Sequence, residues 1–221
     1  NIIETILEDT TFKLLRPIGN PAYYVKPVLN IIGSLKKEYV TPDVFSELLV
    51  DQEKELLSIE QFHEKGAHKG KERGEYTKKE KALVKNRELL VLYRQYESLL
   101  SERKLYDFED MIVETVKALA GDEDMLRDLQ ERFQYILADE HQDVNGSQNR
   151  ILELLANYHE SPNIFVVGDE KQAIFRFQGA SLENFLYFES HCKGTEVISL
   201  TENYRSGQAV LDASHDLVAV D

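Results

Sequence analysis

Hydrophobic positions along this chain follow two regimes. Over residues 1 to 50, short apolar clusters alternate with Pro17, Pro21, Pro27 and Pro42, and Thr41, Pro42 and Asp43 form an N-cap with proline at the first helical position. Several short helices are predicted there. From Glu64 to Arg87 apolar periodicity is nearly absent until Ala82, Leu83 and Val84. Nine Lys or Arg and three Gly occupy that stretch, which predicts a flexible loop or an exposed helix. Leu89, Leu92, Tyr93, Tyr96 and Leu100 then recur at helical spacing. Phe108, Met111, Ile112, Thr115, Val116 and Leu119 do the same after a break near Lys104 to Asp107, so two amphipathic helices follow one another.

After Phe133 the period changes. Tyr135 to Ala138, Ile164 to Val167 and Val197 to Leu200 are short apolar runs separated by helical stretches, the pattern of buried parallel strands in an α/β sheet. Residues 106–221 therefore read as one α/β unit and residues 1–105 as a helical one, with a boundary near residue 105. No internal repeat is visible.

Charge adds a constraint. The 221 residues carry 26 Lys and Arg against 40 Asp and Glu, a formal net charge of −14. Such a chain repels nucleic acid and anionic membrane as a whole, so any DNA contact must be local. Residues 51–105 hold 13 basic and 11 acidic side chains and are the only region where positive charge gathers. The single Cys192 excludes an intrachain disulfide and a cysteine-based metal site, which points to a reducing, cytoplasmic setting. No apolar run approaches the roughly 20 residues that span a bilayer, and no charged-then-apolar leader opens the chain. The start at Asn1 without Met suggests a piece of something longer.

Three constellations carry chemistry. In YILADEHQD, an apolar strand delivers Asp139 and Glu140 to the C-terminal edge of a sheet, where ligands bind in α/β folds. In nucleotide hydrolysis a strand-end Asp holds Mg²⁺, usually through water, while a neighbouring Glu orients or deprotonates the attacking water. In so acidic a chain, a bare pair of this kind also reads as a solvated turn. The second is VVGDEKQAIFRFQGAS, Val166 to Ser181, with aromatics beside a basic residue that suit base stacking or, equally, a core. The third is LTENYRS, Leu200 to Ser206, where Arg205 is placed to reach a phosphate.

In this order and spacing, DEHQD, GDEKQAIFRFQGA and ENYRS resemble motifs II, III and IV of superfamily 1 DNA helicases of the UvrD, Rep and PcrA type. YDFEDMI, Tyr106 to Ile112, resembles the stretch leading into motif II, and the likeness runs from about residue 88 to 221. The resemblance implies an α/β fold with a partial RecA-like parallel sheet, of the P-loop NTPase kind, carrying an all-helical inserted subdomain over residues 1–105. Residues 106–221 would be the C-terminal part of the first RecA-like domain. Implied functions are ATP and Mg²⁺ use, 3′ to 5′ translocation on single-stranded DNA and at duplex junctions, and a role in repair, replication or recombination. A second RecA-like domain would complete the protein.

Residue by residue, the resemblance implies that Asp139 coordinates Mg²⁺, that Glu140 activates water, and that Gln142 and Asp143 couple the site to neighbouring motifs. Gln172 would sense the γ-phosphate, Arg205 would stabilise charge on it and Tyr204 would stack on adenine. Phe177, Phe175 and Arg176 would face DNA. The sequence departs from the family at His141, usually Phe, at Val144, usually Thr, and at Gln178, often Arg. It also lacks the phosphate-binding loop GxxxxGK[ST]: Gly70 and Lys71 are followed by Glu72. Without that backbone cradle the chain alone is expected to hydrolyse ATP hardly at all. The family places the loop's strand between those at 163–168 and 195–200, so unpaired sheet edges and marginal stability are also expected.

Two expectations remain. The basic stretch Lys65 to Arg87 is a candidate DNA-backbone contact, with Lys78, Lys79 and Lys81 at its centre; it reads equally as a solvated surface. The alternative function is a non-catalytic DNA-binding or protein-interaction module derived from a helicase. Retention of Asp139, Glu140, Gln172 and Arg205 argues against it, because such a module has no chemical need of them.

Overall fold

A computed structural model describes residues 2–9, 12–63, 69–158, 163–169, 172 and 194–218. Helices α1 (Ile2–Asp9), α2 (Val25–Lys37), α3 (Pro42–Ser58) and α4 (Gly74–Glu102) form a helical layer. Each buries one stripe. In α4 the stripe is Leu83, Leu89, Leu92, Tyr93, Tyr96 and Leu100; in α3 it is Phe45, Leu49 and Leu56; in α2 it is Val25, Val28 and Ile32. These side chains form one core with Ile3, Ile6, Leu7, Phe12 and Leu15. The Thr41 hydroxyl accepts from the Val44 amide and Pro42 opens α3, as the sequence pattern predicts. The loop before α2 is clamped by Glu88 of α4, whose carboxylate accepts from the amides of Lys13, Leu14 and Leu15 at 2.8–2.9 Å.

The polar stretch after Glu64 resolves in favour of helix from Gly74 onward: it is the first half of α4. A 29-residue helix with little apolar content at its start needs support from outside. Here α3 and the segment just after it supply acidic side chains. Lys79 pairs with Glu55 at 2.6 Å, Arg87 with Glu53 at 2.8 Å, and Arg73 with Glu60.

Helices α5 (Asp110–Gly121) and α6 (Glu123–Arg132) lead into strand β1 (Ile136–Ala138). A 3₁₀ turn, His141–Asp143, then precedes α7 (Gly146–Ala156) and β2 (Ile164–Val166), and α8 (Gln208–Val218) is the last described helix. Strands β1 and β2 are parallel, with Ile136 opposite Ile164 and Ala138 opposite Val166. Helix α5 packs on α7 and on α2, and Val113, Val116 and Leu119 are its buried stripe. This part is helix-rich with a two-stranded parallel sheet among the described residues.

The apolar run Val197 to Leu200 is not a strand. It is exposed, Leu200 to 88%. The reason is physical: β-branched residues favour strands only where a neighbouring strand supplies a ladder and a surface to pack on, and no strand pairs with this run among the described residues. Leu137 and Phe165, cross-strand neighbours, are exposed to 78% and 55%.

A charged residue, Lys36, is built into the helical core. Lys36 continues the buried stripe of α2 and is only 1% exposed. Its ammonium lies 2.6 Å from Asp107, 2.6 Å from Asp110 and 2.7 Å from Glu97, and 5.2 Å from the Tyr96 ring centroid. The Tyr96 hydroxyl donates to Asp107 at 3.2 Å. Burial pulls the Lys36 pKa down, but hydrogen bonds to Asp107, Asp110 and Glu97 outweigh that and hold it above its ordinary value.

Three carboxylates around one ammonium leave an excess of negative charge. Burial pushes the Glu97 carboxyl above its ordinary 4.5, although Lys36 pulls it back. The folded protein therefore takes up the Glu97 proton before the unfolded chain does. Its contribution to stability is full below 4.5 and is lost as pH rises through the folded-state value. Wild type should accordingly gain stability over Glu97→Gln as pH falls from 7 to 4.5; urea midpoints that differ equally at both pH values would refute this.

Candidate functional site

Parallel pairing decides which residues meet. Both strands end at the same edge, so β1 delivers Asp139 and Glu140 beside the Val167, Gly168 and Asp169 that follow β2. The ladder continues past the strands, with the Val167 amide donating to Ala138 at 2.8 Å and the His141 amide to Val167 at 2.9 Å. These bonds bring the first and second constellations together.

Glu140 has φ 50° and ψ 42°, in the left-handed region. Among the described residues two other non-glycine positions share a positive φ, Tyr39 and Lys104, and both sit just past a helix end, where the chain commonly turns that way. Glu140 ends no helix. For a residue with a Cβ this conformation costs on the order of 1 kcal/mol or more, and the surrounding bonds hold it. The Asp139 carboxylate accepts from the Glu140 amide at 2.9 Å, and the Glu140 carbonyl accepts from the Asp143 amide at 2.9 Å.

The side chains form a relay. Buried Gln142 donates from Nε2 to Glu140 Oε2 at 2.6 Å and accepts at Oε1 from the Asp169 amide at 3.0 Å. Gln172 donates from Nε2 to Asp169 Oδ2 at 2.9 Å and from its amide to the Asp169 carbonyl at 3.0 Å. Glu140, Gln142, Asp169 and Gln172 are thus linked in sequence. Asp139, Glu140 and Gln172 are exposed.

Helix α7 anchors the turn from behind. Asn145 caps it in a reciprocal box with Gln148 at 3.0 Å each way. His141 is buried with Nε2 3.0 Å from Asn149 Oδ1. Burial lowers its pKa and favours the neutral ring, with the hydrogen bond to Asn149 opposing the shift. The ring thus ties the turn to α7.

The donor set suits Mg²⁺ with nucleotide phosphates. Asp139 offers an exposed carboxylate, and Asp143 Oδ1 is buried with no hydrogen-bond partner among the described residues. No group of three or more His, Cys, Asp or Glu among those residues could hold a metal by itself. Mg²⁺ does not require one, since it keeps several waters and takes one or two carboxylates plus phosphate oxygens.

The third constellation stands apart. The Asn203 side chain accepts from the Arg205 and Ser206 amides at 2.9 Å, so residues 203–206 form a tight turn that leaves Tyr204 94% exposed. No hydrogen bond or ion pair among the described residues joins Tyr204 or Arg205 to Asp139, Glu140 or Gln172. Phe175, Arg176 and Phe177, with Gln178, lie outside the described residues. Sequence reasoning missed two supports of the site, Asp169, which reads only as part of a turn, and Asn149, which gave no signal.

In the basic stretch, Lys79 and Arg87 are engaged by α3, and the Lys85 ammonium sits 4.4 Å from the Tyr24 ring centroid. Lys78 and Lys81 are exposed, without an ion pair among the described residues. No helix among those residues is long and apolar enough to cross a membrane.

Comparison with known proteins gives this geometry a family. The sequence matches the family model for the UvrD/REP helicase N-terminal domain over residues 5–193. A probable DNA helicase of Mycoplasma pneumoniae is 39% identical over 125 residues, 57% of this chain and 23% of that protein. ATP-dependent DNA helicase PcrA of Staphylococcus epidermidis is 36% identical over 127 residues, 58% of this chain and 17% of the relative, and PcrA of Bacillus subtilis matches to the same extent. The chain thus spans less than a quarter of the length of these relatives. With most of its length matched by that one family model, the chain belongs to the UvrD/REP helicase family.

Proposed function

We propose that this chain is the part of an ATP-dependent DNA helicase that activates water for ATP hydrolysis and reports the phosphate state to the DNA-facing motifs. The observation that carries this reading is the relay Glu140–Gln142–Asp169–Gln172 at one sheet edge. In this reading residues 106–221 belong to a RecA-like ATPase domain and residues 1–105 to a helical subdomain inserted in it. The P-loop, which the 221 residues lack, comes from elsewhere in the same protein, as does the second RecA-like domain.

Asp139 would hold Mg²⁺, which when bound would supply positive charge to neutralise the phosphates. Glu140 orients and deprotonates the attacking water, while Gln142 fixes one of its oxygens so that the other stays available. Gln172 meets the γ-phosphate from the far end of the relay, and loss of that phosphate is felt at Asp169 and Gln142. Arg205 and Tyr204, on their exposed turn, supply phosphate charge stabilisation and adenine stacking. Phe175, Arg176 and Phe177 face single-stranded DNA, and movement is 3′ to 5′.

The test is ATP hydrolysis by the intact protein with and without single-stranded DNA. Stimulation supports the motor; an intact protein that binds DNA yet never hydrolyses ATP supports the non-catalytic module instead. Lys78 and Lys81 are the DNA-backbone candidates. Replacing both with Glu should weaken DNA binding and flatten its salt dependence, by close to one unit of log–log slope for each phosphate no longer neutralised. Lys79→Glu should affect the α3–α4 pairing more than DNA affinity. Unchanged salt slopes in the double variant would remove this surface from the interface.

A further inference from the structure

The C-terminal turn of α2 is a joint. The Lys36 side chain reaches Glu97 near the end of α4 and Asp107 and Asp110 at the entry to α5. Its backbone carbonyl accepts the Ser147 hydroxyl at 2.5 Å. Ser147, itself 1% exposed, lies in the first turn of α7, the helix that carries the catalytic turn at its N-terminus.

The approach next to it is to backbone. A Cβ added to Gly146 would lie 2.7 Å from Glu38 Oε2, 3.1 Å from Glu38 Cα and 3.3 Å from its carbonyl carbon. Only glycine lets α2 and α7 approach so closely without a shift. Between Gly146 and Glu140 stand the capping box at Asn145 and the 3₁₀ turn, both fixed by hydrogen bonds. A displacement of α2 along its axis must therefore move the N-terminus of α7, and with it the turn that holds Glu140.

We propose that Lys36 is a positioning residue that transmits displacement of the helical layer to the catalytic turn, so that DNA contact on the helical layer sets the rate of ATP hydrolysis. The inference rests on the function proposed above. Lys36 touches no substrate; it acts through Ser147 and Gly146. Its side chain locks α2 to the α4–α5 corner, and its carbonyl passes that position to α7. Packed elements with discrete arrangements carry such coupling better than flexible ones.

Two variants of the intact protein test this without removing the buried ammonium. Ser147→Ala deletes the hydroxyl that bridges to Lys36, and Gly146→Ala wedges a methyl group against Glu38. ATP turnover is measured with and without single-stranded DNA, together with KM for ATP. The expected result in Ser147→Ala is that stimulation by DNA falls about fivefold or more, the usual range of coupling between sites, while the unstimulated rate and KM stay within about twofold; Gly146→Ala, which shifts the α7 N-terminus itself, should lower the stimulation ratio at least as far whatever its unstimulated rate. An unchanged stimulation ratio in both variants overturns the inference and leaves the motor intact. Equal losses of basal and stimulated rate overturn it too, because they mark a merely structural role. Absence of stimulation in the wild type refutes the function reading, and the inference with it.

Discussion

In the intact protein, Glu140→Gln is expected to lower DNA-stimulated ATP turnover by about 10²- to 10⁴-fold, the range by which a positioned general base accelerates proton transfer. ATP and DNA binding should stay within about threefold. The amide keeps the size of the side chain, and its oxygen can still accept from Gln142 Nε2, so Gln142 keeps its orientation, its Oε1 still accepts the Asp169 amide and the relay survives. What the variant loses is the basic oxygen that Gln142 leaves available. The left-handed backbone at Glu140 is unaffected, since Gln pays the same conformational cost. Rapid-quench turnover beside equilibrium nucleotide binding separates the two effects. Turnover near wild type would transfer the water-activating role elsewhere; equal loss of binding would mean that Glu140 shapes the site instead. Gln142→Ala gives a graded companion, because it frees the Glu140 carboxylate to swing without removing it.

The parts of this fold that are legible in the sequence are those where local pattern and packing agree. Thr41 with Pro42, the stripe Leu89 to Leu100 and the β1 and β2 runs each satisfy a period that the structure also buries or pairs. Val197 to Leu200 has the same composition and fails, because a strand is a property of a pair and composition describes only one member. The basic half of α4 is ambiguous for the opposite reason: its order comes from Glu53, Glu55 and Glu60, which precede it in the chain and lie outside the helix. At the site, Asp139, Glu140, Gln142 and Gln172 are all visible as letters. That Gln142 bridges two motifs is visible only as an implication of the family; the hydrogen bonds to Glu140 and Asp169 give it a geometry. Asp169 by itself reads as part of a turn, though it holds the middle of the relay. Its role depends on parallel register, which no single motif encodes.

Lys36→Met is expected to destabilise the helical layer by about 3–5 kcal/mol, the usual cost of removing one partner from a buried ion pair. Methionine fills the stem of the side chain, so little of the loss is a cavity. The loss is electrostatic: Asp107, Asp110 and Glu97 remain, with side-chain exposures of 22%, 7% and 27%, and no counter-charge between them. Asp107 and Glu97 can turn toward water, whereas Asp110 is held, because it accepts the Asp107 amide and its own amide donates to Asp107. Asp110→Asn on the Lys36→Met background should therefore recover about 1–3 kcal/mol, the scale of coupling between residues in one network. An Asn oxygen can still accept the Asp107 amide, so the reciprocal turn that starts α5 is kept. On the wild-type background the same Asp110→Asn change should destabilise, since it removes a hydrogen-bonded partner of the ammonium. Opposite signs for one substitution on two backgrounds are the signature of a charge cluster rather than of packing. Urea denaturation of the four proteins, followed by hydrogen exchange of the α2 and α5 amides, measures both. Additive effects would show that Lys36 is held by the apolar stripe of α2 and that the carboxylates around it contribute nothing specific.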